Sequence, residues 1–300
     1  MALKIGKLII NFNSKSLKTL QCDDTKTLWS HVGTLINKSK TNLVSDSNFT
    51  AEALNQHYAA ISTDNEYQKV EYRPITSNNH EDLIISEYHV FNMLDNLKCS
   101  SSGPDEIPAW FLRLAAPVLS GALANIYTKS LNTSVVPIQW KVAQITPIAK
   151  ISNPTTLADY RPISVTSILS RLLEKHVVKS YLYPTLLNPP HDLDFSNQYA
   201  FRPSGSCTAA LIAILSNISE LLKTNEYVIV VALDFSRAFD SVKHGPLFEK
   251  YNKLDLNDKI YNWMVSYFEG RRHTTKFQNQ ISEIAEINAS IVQGSGVGPF

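Results

Sequence analysis

Val231-Ala232-Leu233-Asp234-Phe235-Ser236-Arg237-Ala238-Phe239-Asp240 is the stretch on which the reading of this chain turns. The apolar run Val228 to Leu233 inside Tyr227–Phe235 makes that segment the most strand-like in the sequence. On a strand, successive side chains face opposite sides, so Val231, Leu233 and Phe235 share one face and Val230, Ala232 and Asp234 the other. The first face suits packing on helices. The second is a small residue followed by a carboxylate, a better floor for an open cleft than for a dry core. Such a carboxylate needs solvent, a hydrogen bond or a cation. Magnesium, which takes a few carboxylates together with phosphates and water, meets that need. Capping of the following turn or helix meets it equally well, and the segment alone leaves the two readings balanced. For Asp240, six residues on, helix capping is the favoured reading.

Working outward, the segments Ile168, Leu172, Leu173, Val177 and Leu211, Leu215, Ile218, Leu222 carry apolar residues at helical spacing. Val142, Ile145 and Ile148 form a short strand-like run after Trp140. A loop with Asn153-Pro154 separates it from Tyr160-Arg161-Pro162-Ile163-Ser164-Val165, the pattern of a hairpin. Ser86 is placed to cap a helix with Val90, Leu94 and Leu97, and helical patterns continue through Leu131. Beyond Phe235 the chain reads as helix and loop to Phe300. Strands and helices without strict alternation predict an α+β fold. Residues 1–80, with helix-like islands at Thr27–Ile36 and Phe49–Ile61, read as a mainly helical connector. The polar stretch Thr76 to His80 marks the boundary with a domain over 81–300.

With 44% hydrophobic residues the chain can bury a substantial core. The 28 basic and 27 acidic residues balance, so overall charge does not point to a nucleic-acid partner and local sites must carry that inference. Residues 1–40 are the exception, with seven lysines against Asp23 and Asp24, an arm that suits a solvated terminus better than a phosphate contact. Cys22, Cys99 and Cys207 are isolated, which excludes a disulfide framework or a cysteine zinc site and fits an intracellular, reduced protein. No apolar run approaches the roughly 20 residues of a membrane span, so no membrane partner is expected.

Several separated segments, in order, resemble reverse transcriptases of non-LTR (LINE-type) retrotransposons. Ser101-Ser102-Gly103-Pro104-Asp105-Glu106-Ile107-Pro108 is similar to the N-terminal fingers motif, and Trp140 to Lys150 with Tyr160 to Ser164 to the fingers hairpin. Gln198-Tyr199-Ala200-Phe201-Arg202 resembles the family's Gln-x-Gly-Phe-Arg, with Ala200 in place of glycine. Asp234 to Asp240 and Gln293-Gly294-Ser295-Gly296-Val297-Gly298-Pro299 resemble the first two palm motifs.

The resemblance implies a right-hand polymerase fold, here fingers plus partial palm. It makes Asp234 the catalytic ligand of Mg2+, and gives Lys150 and Arg161 the incoming triphosphate. Phe239 would lie under the sugar and exclude a 2′-hydroxyl, with Gln293 and Gly294 near the nascent base pair. The implied partners are an RNA template, a DNA primer and deoxynucleoside triphosphates. In the two-metal chemistry of such enzymes several carboxylates share the ions. The family's aromatic-Ala-Asp-Asp motif would follow Pro299, so this stretch by itself is expected not to polymerise. Two alternatives stand beside this reading. One is a non-catalytic remnant binding nucleic acid through Lys150, Arg161 and Arg271-Arg272-His273. The other is a group II intron-type maturase.

Overall fold

The computed structural model describes residues 49–75, 82–187, 189–190, 193, 196–201, 205–292, 294, 295 and 297. The basic arm, the Thr27–Ile36 island and the boundary stretch from Thr76 to His80 lie outside the described residues. Those of 49–151 and 155–300 belong to one compact unit.

Helix α1 (Ala51–Ile61) starts where the Thr50 side chain accepts a hydrogen bond from the Ala53 amide. Helix α2 (Glu87–Asp95) starts in the same way on Ser86, and Val90 and Leu94 are buried as their spacing predicts. Helices α3 (Ala109–Leu114) and α4 (Ala116–Thr133) lead to strand β1 (Val142–Ala149), which pairs antiparallel with β2 (Tyr160–Val165) in the expected hairpin. Helix α5 (Ile168–Val177) runs through a π-helical turn into α6 (Tyr183–Leu187). Helices α7 (Cys207–Leu221), α8 (His244–Lys253) and α9 (Asp258–Phe268) follow. The sequence from Lys259 to Phe268 is apolar except for a stripe of Lys259, Asn262 and Ser266, and every residue of it is buried. Its polar members are satisfied: Asn262 exchanges two hydrogen bonds with the backbone of Arg73, and Ser266 accepts from the Val136 amide. Around α9 the side chains of α2, α4 and α5 close the main core.

The end of the chain corrects the expectation of helix and loop. Strand β3 (Arg271–Phe277) lies parallel to β1, and β4 (Gln280–Ile281) and β5 (Ala285–Ile287) pair antiparallel with β3. The β3–β4 turn is Gln278-Asn279, both at positive φ, the type I′ geometry that follows strand twist. Together the strands make a five-stranded sheet in the order β2-β1-β3-β4, with β5 also on β3. Strand β3 escapes a hydrophobic-pattern reading because its inward face is polar: Arg271, His273 and Thr275 are buried against α1 and α9. Arg271 and His273 are 2% and 3% exposed, so they cannot serve as the nucleic-acid contact expected of them.

A second correction concerns Tyr227–Phe235, which pairs with no described strand and turns its side chains outward, Leu233 and Phe235 being 88% and 84% exposed. Alternating apolar residues express a preference for a pleated surface, but a strand persists only when a neighbour takes its backbone groups. Central β1 already has both edges occupied, by β2 and β3. Helix α7 forms as predicted, capped by Ser206, yet none of its residues is buried.

Candidate active site

The β1–β2 hairpin is anchored at its loop end and exposes two cations there. Tyr160 is buried, with the rings of Phe49 and Phe277 meeting it edge-on at 6.2 and 5.5 Å. The loop is closed by the Asp159 carboxylate, which accepts from the amides of Thr156 (2.8 Å) and Thr155 (2.9 Å), contacts that hold its pKa down. The Lys150 amide donates to the Asp159 carbonyl at 2.8 Å, and the Lys150 ammonium to the Ala158 carbonyl at 2.7 Å. Arg161 stands opposite Ile148, so Lys150, two residues further along, shares its face of the hairpin. Both cations are exposed, and no described carboxylate forms an ion pair with either.

The palm-like motif after Asp234 folds into a turn in which the amides of Asp240 and Ser241 donate to the Arg237 carbonyl, with Arg237 at a φ of 56°. This turn is tied to the chain just before Gln293. The Ile291 amide donates to the Phe239 carbonyl and the Ser290 amide to that of Val242, each at 2.8 Å, and the His244 ring contacts the Ser290 carbonyl at 2.9 Å. Phe239 is half-buried, and Phe201 from the Gln198 motif meets its ring edge-on at 6.2 Å. A Cβ at Gly294 would lie 2.8 Å from the Ser164 carbonyl oxygen, so the glycine-rich motif passes hard against β2. Gly103 approaches the backbone of Thr166 and Ser167 equally closely, and Asp105 accepts from the Ser167 hydroxyl at 2.6 Å. That motif therefore braces the exit of β2.

Asp240 of the Phe239 turn and Gly294 thus lie against one hairpin, Asp240 across a cavity from Pro162 and Ser164 and Gly294 on the Ser164 carbonyl, while Lys150 and Arg161 share one face of it. Asp234 is not tied in: it is exposed on the unpaired segment and makes no hydrogen bond or ion pair with another described residue. Gln293 lies outside the described residues. Asp240, expected as a helix cap, caps nothing. Helix α8 begins four residues later on Lys243, without a side-chain cap. Asp240 instead turns half-buried toward Tyr58 of α1, and burial raises its pKa against the opposing charges of Arg237 and Lys150. Neither Asp240 nor Tyr58 stood out in the sequence as part of the site. The Asp240 side of the signal was present in the motif; Tyr58 gave none.

The class of the domain that carries this arrangement follows from comparison. The profile of the family described as reverse transcriptase (RNA-dependent DNA polymerase) matches residues 148–300, more than half the chain, and the chain belongs to that family. Within it, the relatives are enzymes of non-LTR retrotransposons. The chain is 32% identical over 182 residues to the probable RNA-directed DNA polymerase from transposon BS of Drosophila melanogaster, covering 59% of this chain and 19% of that protein. It is 28% identical over 198 residues to the RNA-directed DNA polymerase from mobile element jockey of the same organism, covering 66% and 21%. It is 27% identical over 169 residues to the Pol polyprotein from type-1 retrotransposable element R2 of Popillia japonica, covering 55% and 22%. The chain spans about one-fifth of the length of these relatives.

Reverse transcriptases use divalent metal ions. Among the described residues no three His, Cys, Asp or Glu side chains are grouped to hold one, and the single exposed carboxylate of Asp234 is fewer ligands than such an ion takes. The described residues do not by themselves form the metal site. No described helix is long and apolar enough to cross a membrane.

Proposed function

We propose that this chain is the nucleotide-handling portion of an RNA-directed DNA polymerase of a non-LTR retrotransposon. It comprises fingers and part of the palm of a right-hand fold over residues 81–300, with 1–80 as a connector. The observation that carries this reading is the convergence of separate motifs: the hairpin with Lys150 and Arg161, the Phe239 turn, and Gly294 packed on Ser164. Their chemistry suits a deoxynucleoside triphosphate. Lys150 offers a point charge and Arg161 a planar fork able to grip two phosphate oxygens. Phe239 is an aromatic wall for the sugar, and Gln293 and Gly294 lie beside the nascent pair. The template is RNA and the primer DNA. Asp234 is a catalytic carboxylate and one of several Mg2+ ligands in the complete enzyme, where the ion supplies positive charge to the phosphates.

In the complete polymerase, Asp234→Asn is expected to cut primer extension by about a thousandfold, the several kcal/mol that a metal ligand supports, while template affinity stays within a small factor. Near-normal extension would remove Asp234 from the site. Phe239→Ala is expected to raise ribonucleotide incorporation relative to deoxynucleotide, measured by competitive extension. Unchanged sugar discrimination would end its role as the gate.

A further inference from the structure

Beneath the turn that carries Phe239 lies a cavity of about 30 Å3, whose polar lining includes Tyr58, Ser62, Ser164, Asp240, Arg271 and His273. Three of these present buried atoms with no hydrogen-bond partner: the Tyr58 hydroxyl, Nη2 of Arg271 and Nε2 of His273. Native interiors rarely leave such atoms dry. A polar cavity of this size admits a water molecule, and a buried water takes roughly two to four polar partners. Asp240 is the one carboxylate among the lining residues. Burial and then the charge of Asp240 raise the pKa of the Tyr58 hydroxyl, so the two groups feel one another across the cavity. Arg271, 2% exposed, spends Nη1 on the Tyr267 carbonyl and lies over that ring, leaving Nη2 directed elsewhere.

We propose that Tyr58 and Asp240 are positioning residues for the incoming nucleotide, an inference that rests on the polymerase reading above. A water in the cavity accepts hydrogen bonds from the Tyr58 hydroxyl and the Arg271 guanidinium and donates to the Asp240 carboxylate. Helix α1 thereby fixes the turn on which Phe239 is carried. Tyr58 reaches this place because α1 packs on the sheet through Leu54 and Tyr58, in a cluster with Ile145 and Tyr160. Asp240 reaches it because the Phe239 and Val242 carbonyls are pinned to Ile291 and Ser290 on the cavity wall. The helix that the sequence assigns to a connector is then a structural support of the nucleotide site. A phenylalanine at 58 would fill the same volume and supply no donor.

The test compares Tyr58→Phe, Asp240→Leu and the double substitution with wild type. Steady-state extension is measured in the polymerase carrying this chain, and thermal unfolding in the 300-residue chain itself. Each single variant is expected to raise the deoxynucleotide KM about tenfold, the worth of a hydrogen bond to a charged group, with kcat within about twofold. The double variant is expected to be no worse than the poorer single, because both changes break one linkage. A wild-type KM for Tyr58→Phe, or losses that multiply in the double variant, overturns the proposal. In unfolding, removing a hydroxyl that has no partner is neutral or stabilising, whereas removing a water-linked one lowers Tm by about 2 °C. An unchanged or raised Tm for Tyr58→Phe therefore also overturns it. A wild-type enzyme that extends no primer refutes the polymerase reading instead, and the unfolding comparison still decides the linkage.

Discussion

At Gly294 the backbone is held at a φ of 113°, and an added Cβ would stand 2.8 Å from the Ser164 carbonyl oxygen. Both conditions exclude other residues: the conformation costs an L-residue of order 1–3 kcal/mol, and a backbone oxygen cannot swing aside as a side chain can. Gly294→Ala is therefore expected to push this loop off β2 and raise the deoxynucleotide KM of the complete polymerase about tenfold or more. Circular dichroism should remain native, and an unchanged KM would show that the loop can shift without consequence. Gly103 is close-packed in the same way, against Thr166 and Ser167, but its neighbours serve the hairpin exit. The sequence marked both glycines as members of family-like motifs. Which backbone each one approaches was not legible there, because Ser164 and Ser167 lie far from them along the chain.

Among the elements, α7 and the segment after it depart furthest from an ordinary surface. Leu211 and Leu215 are each 60% exposed and Ile212 63%, on a helix that buries nothing, and the extended run beyond it exposes Val231, Leu233 and Phe235. Contiguous apolar surface of this kind promotes association. Replacing Leu211 and Leu215 together by lysine is expected to increase the soluble monomer of this chain, read by size-exclusion chromatography. Tm should stay within about 1 °C, since exposed substitutions away from packing change stability by only about 0.5 kcal/mol. A large fall in Tm would show that these leucines are packed after all. The helical period of α7 was correctly legible because it depends on local spacing. The strand character of Tyr227–Phe235 was legible only as a preference, since no neighbouring backbone is available to it among the described strands.

Across the whole molecule, acid sensitivity follows from the buried His244 and His273 and the half-buried His176. Burial lowers the pKa of His176, to about 4, with His89 adding to the effect; burial likewise lowers His244 and His273. In the unfolded chain these rings take up protons near their ordinary value of about 6.5. Between that value and the folded one, the unfolded state binds more protons, so stability present above about pH 6.5 is lost as the pH falls toward about 4. Tm measured from pH 7.5 down to 5 should decline steadily, before the ordinary titration of carboxylates begins. A flat profile over that range would mean that the rings are solvated rather than buried. The same large-scale packing explains Arg73, whose guanidinium lies 4.1 Å over the Tyr261 ring and donates to Asn252 and the Leu256 carbonyl. It straps the segment after α1 onto α8 and α9.

By itself the sequence determined the helices over Glu87–Asp95, Ile168–Val177 and Cys207–Leu221, the Ser86 cap, the β1–β2 hairpin and the family, because spacing, a capping residue and ordered motifs are properties of neighbouring residues. Only the tertiary structure decided that Arg271 and His273 are core residues, since a polar strand face becomes interior only when α1 and α9 close over it. Only the tertiary structure brought Phe201 to Phe239, Gly294 to Ser164, and Asp240 to Tyr58. Those pairs are separated by tens to more than a hundred residues, and no local preference encodes a contact that depends on how whole elements pack.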